Sequence, residues 1–129
     1  MIRLSFILAI FLATTPVVAH EMTPTYPKLK PSYVDGIMTA QLSMFNARQD
    51  VEYYEIGVFT LDWDPVPFAT AERLIKVPRG THKAFDVYIR NQDKAKTVFV
   101  CTMSKLRSDL PSNAIISSKV CSRVDGERP

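Results

Sequence analysis

The chain predicts an all-β fold, two antiparallel sheets packed face to face as a single sandwich. Three observations carry that prediction. Apolar and polar residues alternate with a period of two through most stretches after residue 36. Turn signals built from Pro, Gly, Asn and Asp separate those stretches at the short intervals of a sandwich. The two cysteines, Cys101 and Cys121, stand symmetrically about Pro111 in a polar segment, where antiparallel pairing of the last two strands would turn back.

The first element is a targeting segment. Arg3 gives a short positive start, residues 4–13 supply an apolar run, and Pro16, Val17, Val18 and Ala19 form a small-residue cleavage site. Residues 1–19 therefore read as a signal peptide, cleaved after Ala19 and helical while attached. The apolar run falls well short of the roughly 20 residues a membrane-spanning helix needs. Removal leaves 110 of the 129 residues, one domain's worth. The charge is then 15 basic (16 less Arg3) against 13 acidic, a net +2. Charge so small and so interspersed argues against nucleic acid or an anionic membrane as partner.

Residues 20–35 carry Pro24, Pro27 and Pro31, which exclude a helix and predict an extended arm, either paired at a sheet edge or draped over the surface. Within the expected sandwich, residues 36–124, the first strand has Met38, Ala40, Leu42 and Met44 on its buried face. Residues 46–50 form a polar turn. The strand over 51–59 is central, with Tyr54, Ile56 and Val58 on one face and Tyr53, Gly57 and Phe59 on the other; a glycine there marks a bulge or a close backbone or ring approach. Asp62, Trp63, Asp64, Pro65, Val66 and Pro67 break the pattern as a turn.

A short strand over 74–77 ends in the turn at 78–81, and residues 84–90 resume the alternation with Phe85, Val87 and Ile89 inward. A polar turn over 91–96 precedes a strand over 97–103, then the loop at 108–113 and a last strand over 115–124. Residues 125–129 read as a flexible tail. Six clear strands, with the arm as a seventh, amount to an Ig-like antiparallel β-sandwich.

In an exported domain of this size the two cysteines are expected to form a disulfide. If Cys101 and Cys121 are directly opposed, paired positions sum to 222 and the reversal falls at Pro111. The bridge would stabilise the fold by roughly 3 kcal/mol. A redox or metal role would call for a CxxC spacing or a neighbouring histidine, and neither is present.

Met44-Phe45-Asn46, the run from Tyr53 to Phe59, Val77-Pro78-Arg79-Gly80 and the run from Phe85 to Asn91 together resemble the amino-terminal Ig-like domain of periplasmic pilus-assembly chaperones. The resemblance covers about residues 36–91 and is one of strand-and-turn pattern. It implies a chaperone-like binding role through an edge strand. That family has a second Ig-like domain and uses basic residues in the cleft between the two to hold a subunit carboxylate. The chain has no room for the second domain, and Lys119 and Arg123 are the basic residues considered for the contact. The chain is also similar to small uncharacterised exported proteins of some marine phage genomes.

Chemistry-bearing residues are few. Cleavage after Ala19 would leave His20 first, and with His82, the other histidine, it could form a copper site, with Met22 as a soft third ligand; otherwise His20 begins a mobile arm and His82 flanks a turn. Asp62 and Asp64 lack the rest of a calcium loop. Trp63 either anchors a sheet edge or is an exposed binding aromatic. Lys94, Lys96, Lys105 and Arg107 suit a solvated sheet edge. GxSxG, HExxH, Walker and GxGxxG motifs are absent from a chain with four glycines, so no enzyme is expected. Three readings follow: a secreted or periplasmic interaction module binding a protein partner through a sheet edge or the loops at Trp63 and Pro111, with no cofactor; a copper protein using His20 and His82; and a structural accessory of an envelope or virion.

Overall fold

The computed structural model describes residues 20–105 and 117–124. The expected signal peptide, the loop containing Pro111, Arg107 and the expected tail lie outside the described residues. The order is β1 (Glu21–Thr23), β2 (Lys30–Pro31), β3 (Ile37–Phe45), β4 (Tyr53–Phe59), β5 (Leu74–Lys76), β6 (His82–Arg90), a 3₁₀ turn (Asn91–Lys96), β7 (Phe99–Lys105) and β8 (Lys119–Arg123).

Two antiparallel sheets form the sandwich. In the first, β3 is central, with β6 along one side from Ile37↔Arg90 to Phe45↔His82, and β1 and β2 sharing the other. In the second the order is β5-β4-β7-β8. The period-two reading holds: Met38, Ala40, Leu42 and Met44 from β3, Tyr54, Ile56 and Val58 from β4, and Phe85, Val87 and Ile89 from β6 are all buried. Each of the Met, Leu, Ile, Val and Phe side chains among them stabilises the fold by about 1.5–3 kcal/mol relative to exposure.

The proline-rich arm does both things foreseen for it. It pairs as β1, with Met22↔Met44, and leaves the sheet at the cis Thr23–Pro24 bond. It then crosses to the second sheet, where the Arg123 amide donates to the Thr25 carbonyl at 2.9 Å and the Ser122 hydroxyl donates to the Pro24 carbonyl at 2.8 Å. It returns as β2 against Thr39 and Met38. The arm therefore bonds to both sheets along one side of the sandwich.

Two turns depart from plain polar reversals. After β3, Asn46 is fully buried. Its Nδ2 donates to the carbonyls of Val51 (2.7 Å) and Val77 (2.8 Å), while Oδ1 accepts from the Tyr54 hydroxyl (2.7 Å) and the Arg48 amide (2.9 Å). Every hydrogen-bonding site of the amide that a side chain of this kind needs filled is filled, which makes burial tolerable. Burial pushes the Tyr54 phenol up to about 12, so it stays a donor. Gly80, at φ 76°, donates its amide to the Asn46 carbonyl at 2.7 Å, a backbone shape that glycine adopts without steric cost.

Residues 91–96 form a 3₁₀ turn around the buried Asp93. Its carboxylate is held by Arg90 Nε (2.8 Å) and Lys96 Nζ (3.1 Å). Burial alone would raise the carboxyl; these two hydrogen bonds outweigh it and hold it below the usual carboxylate value. The Thr97 amide closes the turn on the Asp93 carbonyl at 3.2 Å. This is why the next strand begins at Phe99 and runs to Lys105 rather than over 97–103.

Candidate interaction face

Register on the second sheet decides what faces outward. β7 and β8 pair as Phe99↔Arg123, Cys101↔Cys121 and Met103↔Lys119, and β4 and β7 as Phe59↔Phe99 and Gly57↔Cys101. Paired positions of β7 and β8 sum to 222, as the cysteine spacing implies, and the disulfide joins directly opposed residues, with Cα atoms 4.0 Å apart. Since Tyr54, Ile56, Val58, Val100, Thr102 and Ser122 point inward, the odd-numbered residues of β4, β7 and β8 form the outer face. Gly57 lies in the row of the bridge. A Cβ built on it would stand 2.8 Å from Phe59 Cε2 and 3.0 Å from Met103 Cε, so the expected close approach is that of a ring.

Trp63 is brought onto this face by a tight loop. The Thr60 amide donates to the Asp64 carbonyl (2.9 Å), the Trp63 amide to the Thr60 carbonyl (3.0 Å), and the Asp64 amide to Thr60 Oγ1 (3.1 Å). The loop holds Trp63 at φ 66°, a left-handed conformation costly for a bulky side chain. Its indole lies parallel to the Phe99 ring, centroids 4.3 Å apart and planes 4° from parallel, with Phe59 tilted against it at 5.9 Å. Lys119 Nζ is 4.1 Å from the Trp63 centroid and 5.7 Å from that of Phe59, and Arg123 Cζ is 5.6 Å from Phe99. Such cation–π contacts are worth about 0.5–1 kcal/mol each at exposed positions. Trp63 nonetheless remains 46% exposed, so it both anchors the sheet and presents an aromatic surface.

The three residues picked from the sequence as interaction candidates, Trp63, Lys119 and Arg123, thus converge on one face. Phe59 and Phe99 complete it. By sequence both are strand residues, and strand parity with Gly57 and Cys101 places them on the outer side.

The same face adjoins the outer side of β8, where among the described residues no strand pairs with it, although β1 lies nearby. The bonds from the Ser104 amide to the Ser118 carbonyl and from the Val124 amide to the Val98 carbonyl turn the even-numbered backbone groups of β8 toward β7. By the alternation of an antiparallel ladder, those of Lys119, Cys121 and Arg123 point away. The arm takes the Arg123 amide through Thr25, and among the described residues no group takes the outward backbone of Lys119 and Cys121. Elsewhere, Lys105 pairs with Glu55 at 2.8 Å and Lys96 with Asp93, while Lys94 is exposed.

The residues considered for copper are not brought together. His20 and Met22 point into the interior and are buried. His82 begins β6 on the opposite face of the first sheet, its ring 4.7 Å from that of Phe45. Both ring nitrogens of His20 are engaged by protein groups, so it neither begins a mobile arm nor stands beside His82. Among the described residues no group of three or more His, Cys, Asp or Glu is placed to hold a metal ion. No helix among them is long and apolar enough to cross a membrane.

The fold and this face define an Ig-like β-sandwich bearing an aromatic and basic surface beside an edge strand. No protein-family model and no curated protein matches the chain. Among solved structures it is similar to a FixG-related protein from Vibrio parahaemolyticus, at 19% identity over 83% of this chain and 95% of that one, with a TM-score of 0.49.

Proposed function

We propose that the chain is an exported interaction module that adds an extended, acidic segment of a protein partner to the β8 edge. The observation that carries this reading is the convergence of a half-exposed Trp63, stacked on Phe99 in a left-handed backbone conformation, with Lys119 and Arg123. Backbone strain in an aromatic residue that is left partly exposed is common at binding sites. A strand laid along Lys119 and Cys121 would gain main-chain hydrogen bonds from the edge. Its outward side chains would run past two cations spaced four residues apart, which suits carboxylates. The resemblance to the amino-terminal domain of pilus-assembly chaperones supports edge-strand recognition. The disulfide supports an oxidising, periplasmic or extracellular site of action.

Trp63 is the sole tryptophan, so its fluorescence reports binding directly. Titration with extended peptides alternating acidic and apolar residues should shift the emission saturably, and the double variant Lys119→Glu, Arg123→Glu should abolish the shift while circular dichroism stays unchanged. Binding that survives the charge reversal would refute the reading. Mass spectrometry of the exported protein tests export, with His20 as the expected first residue.

A further inference from the structure

His20 is buried although it opens a proline-rich arm, and its contacts fix its protonation state. Nε2 lies 3.0 Å from the Thr102 carbonyl and 2.8 Å from Thr102 Oγ1. A carbonyl only accepts, so Nε2 carries the proton. Nδ1 lies 3.1 Å from Ser118 Oγ, and that oxygen accepts from Arg48 Nη1 at 3.2 Å. The Ser118 hydroxyl proton is then the one available to Nδ1, which accepts it. Arg48, Ser118, His20 and Thr102 form a directed chain that is complete only when the imidazole is neutral. Protonation would turn Nδ1 into a donor, so the Ser118 hydroxyl would have to turn its proton away and accept from both Arg48 and His20.

The surrounding charges point the same way. From the loop after β3 come Arg48 and Asp50, and these satisfy each other as a bidentate pair at 2.7–2.8 Å. From β4 comes the neutral Tyr54, whose ring is 4.5 Å from the imidazole. Thr102 from β7 and Ser118 before β8 are uncharged. Among the described residues no carboxylate bonds to the ring, and cleavage after Ala19 would add the cationic α-amino group of His20 itself.

We propose that His20 is a pH-operated latch for the first part of the arm: neutral, it pins β1 to β7 and the start of β8; protonated, it frees β1 from β3. Release exposes the β3 edge at Ser43–Phe45 and the seat of Met22, while the bonds of Pro24 and Thr25 to β8 and the pairing of β2 hold the rest of the arm. Burial, partly offset by the bond to the Thr102 carbonyl and reinforced by Arg48, lowers the imidazole below its ordinary 6.5. With the folded value depressed, the latch is fully closed above 6.5 and loosens as pH falls below it, until the folded form itself takes up the proton. The opening constant of β1 then rises as pH falls below 6.5, by at most about tenfold per pH unit.

Amide hydrogen exchange of the processed protein, corrected for the intrinsic pH dependence, tests this. Between about pH 7 and about pH 5, protection of the β1 amides should fall, by no more than about tenfold per pH unit below 6.5, while that of β4 and β7 holds. His20→Gln keeps a donor for Thr102 and an acceptor for Ser118 and should make β1 protection independent of pH. An equal fall in His20→Gln, no fall in the wild type, or a matching fall in β4 and β7 would overturn the latch. Should the variant not fold, the ring signals of the wild type decide. Protonation of His20 below the free-imidazole value, coincident with loss of β1 protection, supports the latch; protonation at the free value with β1 intact overturns it.

Discussion

Asn46→Ala is the sharpest test of what holds this sandwich together. The amide makes four hydrogen bonds at 2.7–2.9 Å and is fully buried. Truncation removes all four and leaves the carbonyls of Val51 and Val77, the Tyr54 hydroxyl and the Arg48 amide in a site with little water. At about 1 kcal/mol per bond the loss is about 4 kcal/mol, a large share of the roughly 5–15 kcal/mol that stabilises a domain. In a domain of this size that corresponds to a fall in Tm of about 15–30 °C. Urea unfolding followed by Trp63 fluorescence and by circular dichroism measures it, with the slope expected unchanged. Tyr54→Phe alone should cost about 1–2 kcal/mol, and clearly less once Asn46 is alanine, because the two share a bond. A loss below about 1 kcal/mol in Asn46→Ala, or strict additivity of the two substitutions, would show that the amide does not tie these turns together.

Four further outcomes are expected. Trp63→Ala removes the Phe99 stack but keeps the left-handed backbone, whereas Trp63→Gly relieves it, so glycine should be the more stable variant by about 1 kcal/mol in urea unfolding. Gly57→Ala drives a methyl against the Phe59 ring and should destabilise by about 1–3 kcal/mol, whereas Gly57→Ala paired with Phe59→Leu should recover part of the loss. Replacing Cys101 and Cys121 together by serine should cost about 3 kcal/mol, and thiol labelling of the unreduced, denatured wild type should find neither sulfur. The Asp93 carboxyl titrates lower in the folded protein than unfolded, so its contribution is present above the ordinary 3.8 and disappears as pH falls below that; Asp93→Asn should be less stable at neutral pH yet flatter between about pH 4 and about pH 2 in a urea-midpoint series.

Strand faces and the β7–β8 register were legible because side-chain alternation and a fixed crosslink are local or arithmetical signals. Met38 to Met44 and Phe85 to Ile89 could be assigned by parity alone, and the sum of 222 follows from the two cysteine numbers. The start of β7 was misplaced because Thr97 has the composition of a strand residue, while its amide is committed to the turn around Asp93. The site was half visible. Trp63, Lys119 and Arg123 could be picked individually, but Phe59 and Phe99 gained a role only from a loop that folds a tryptophan back over them. The place of His20 had no signal at all, since its partners Thr102 and Ser118 are 82 and 98 positions away and no periodicity links them.

The Cys101–Cys121 bridge limits how β8 can engage anything. β8, the last strand of the second sheet, is covalently fastened to its inner neighbour at the middle of its length. An incoming segment can lengthen the sheet but cannot take β8's place in it, and two copies cannot trade their β8 strands while both bridges are intact. Reduction would lift both restrictions at once.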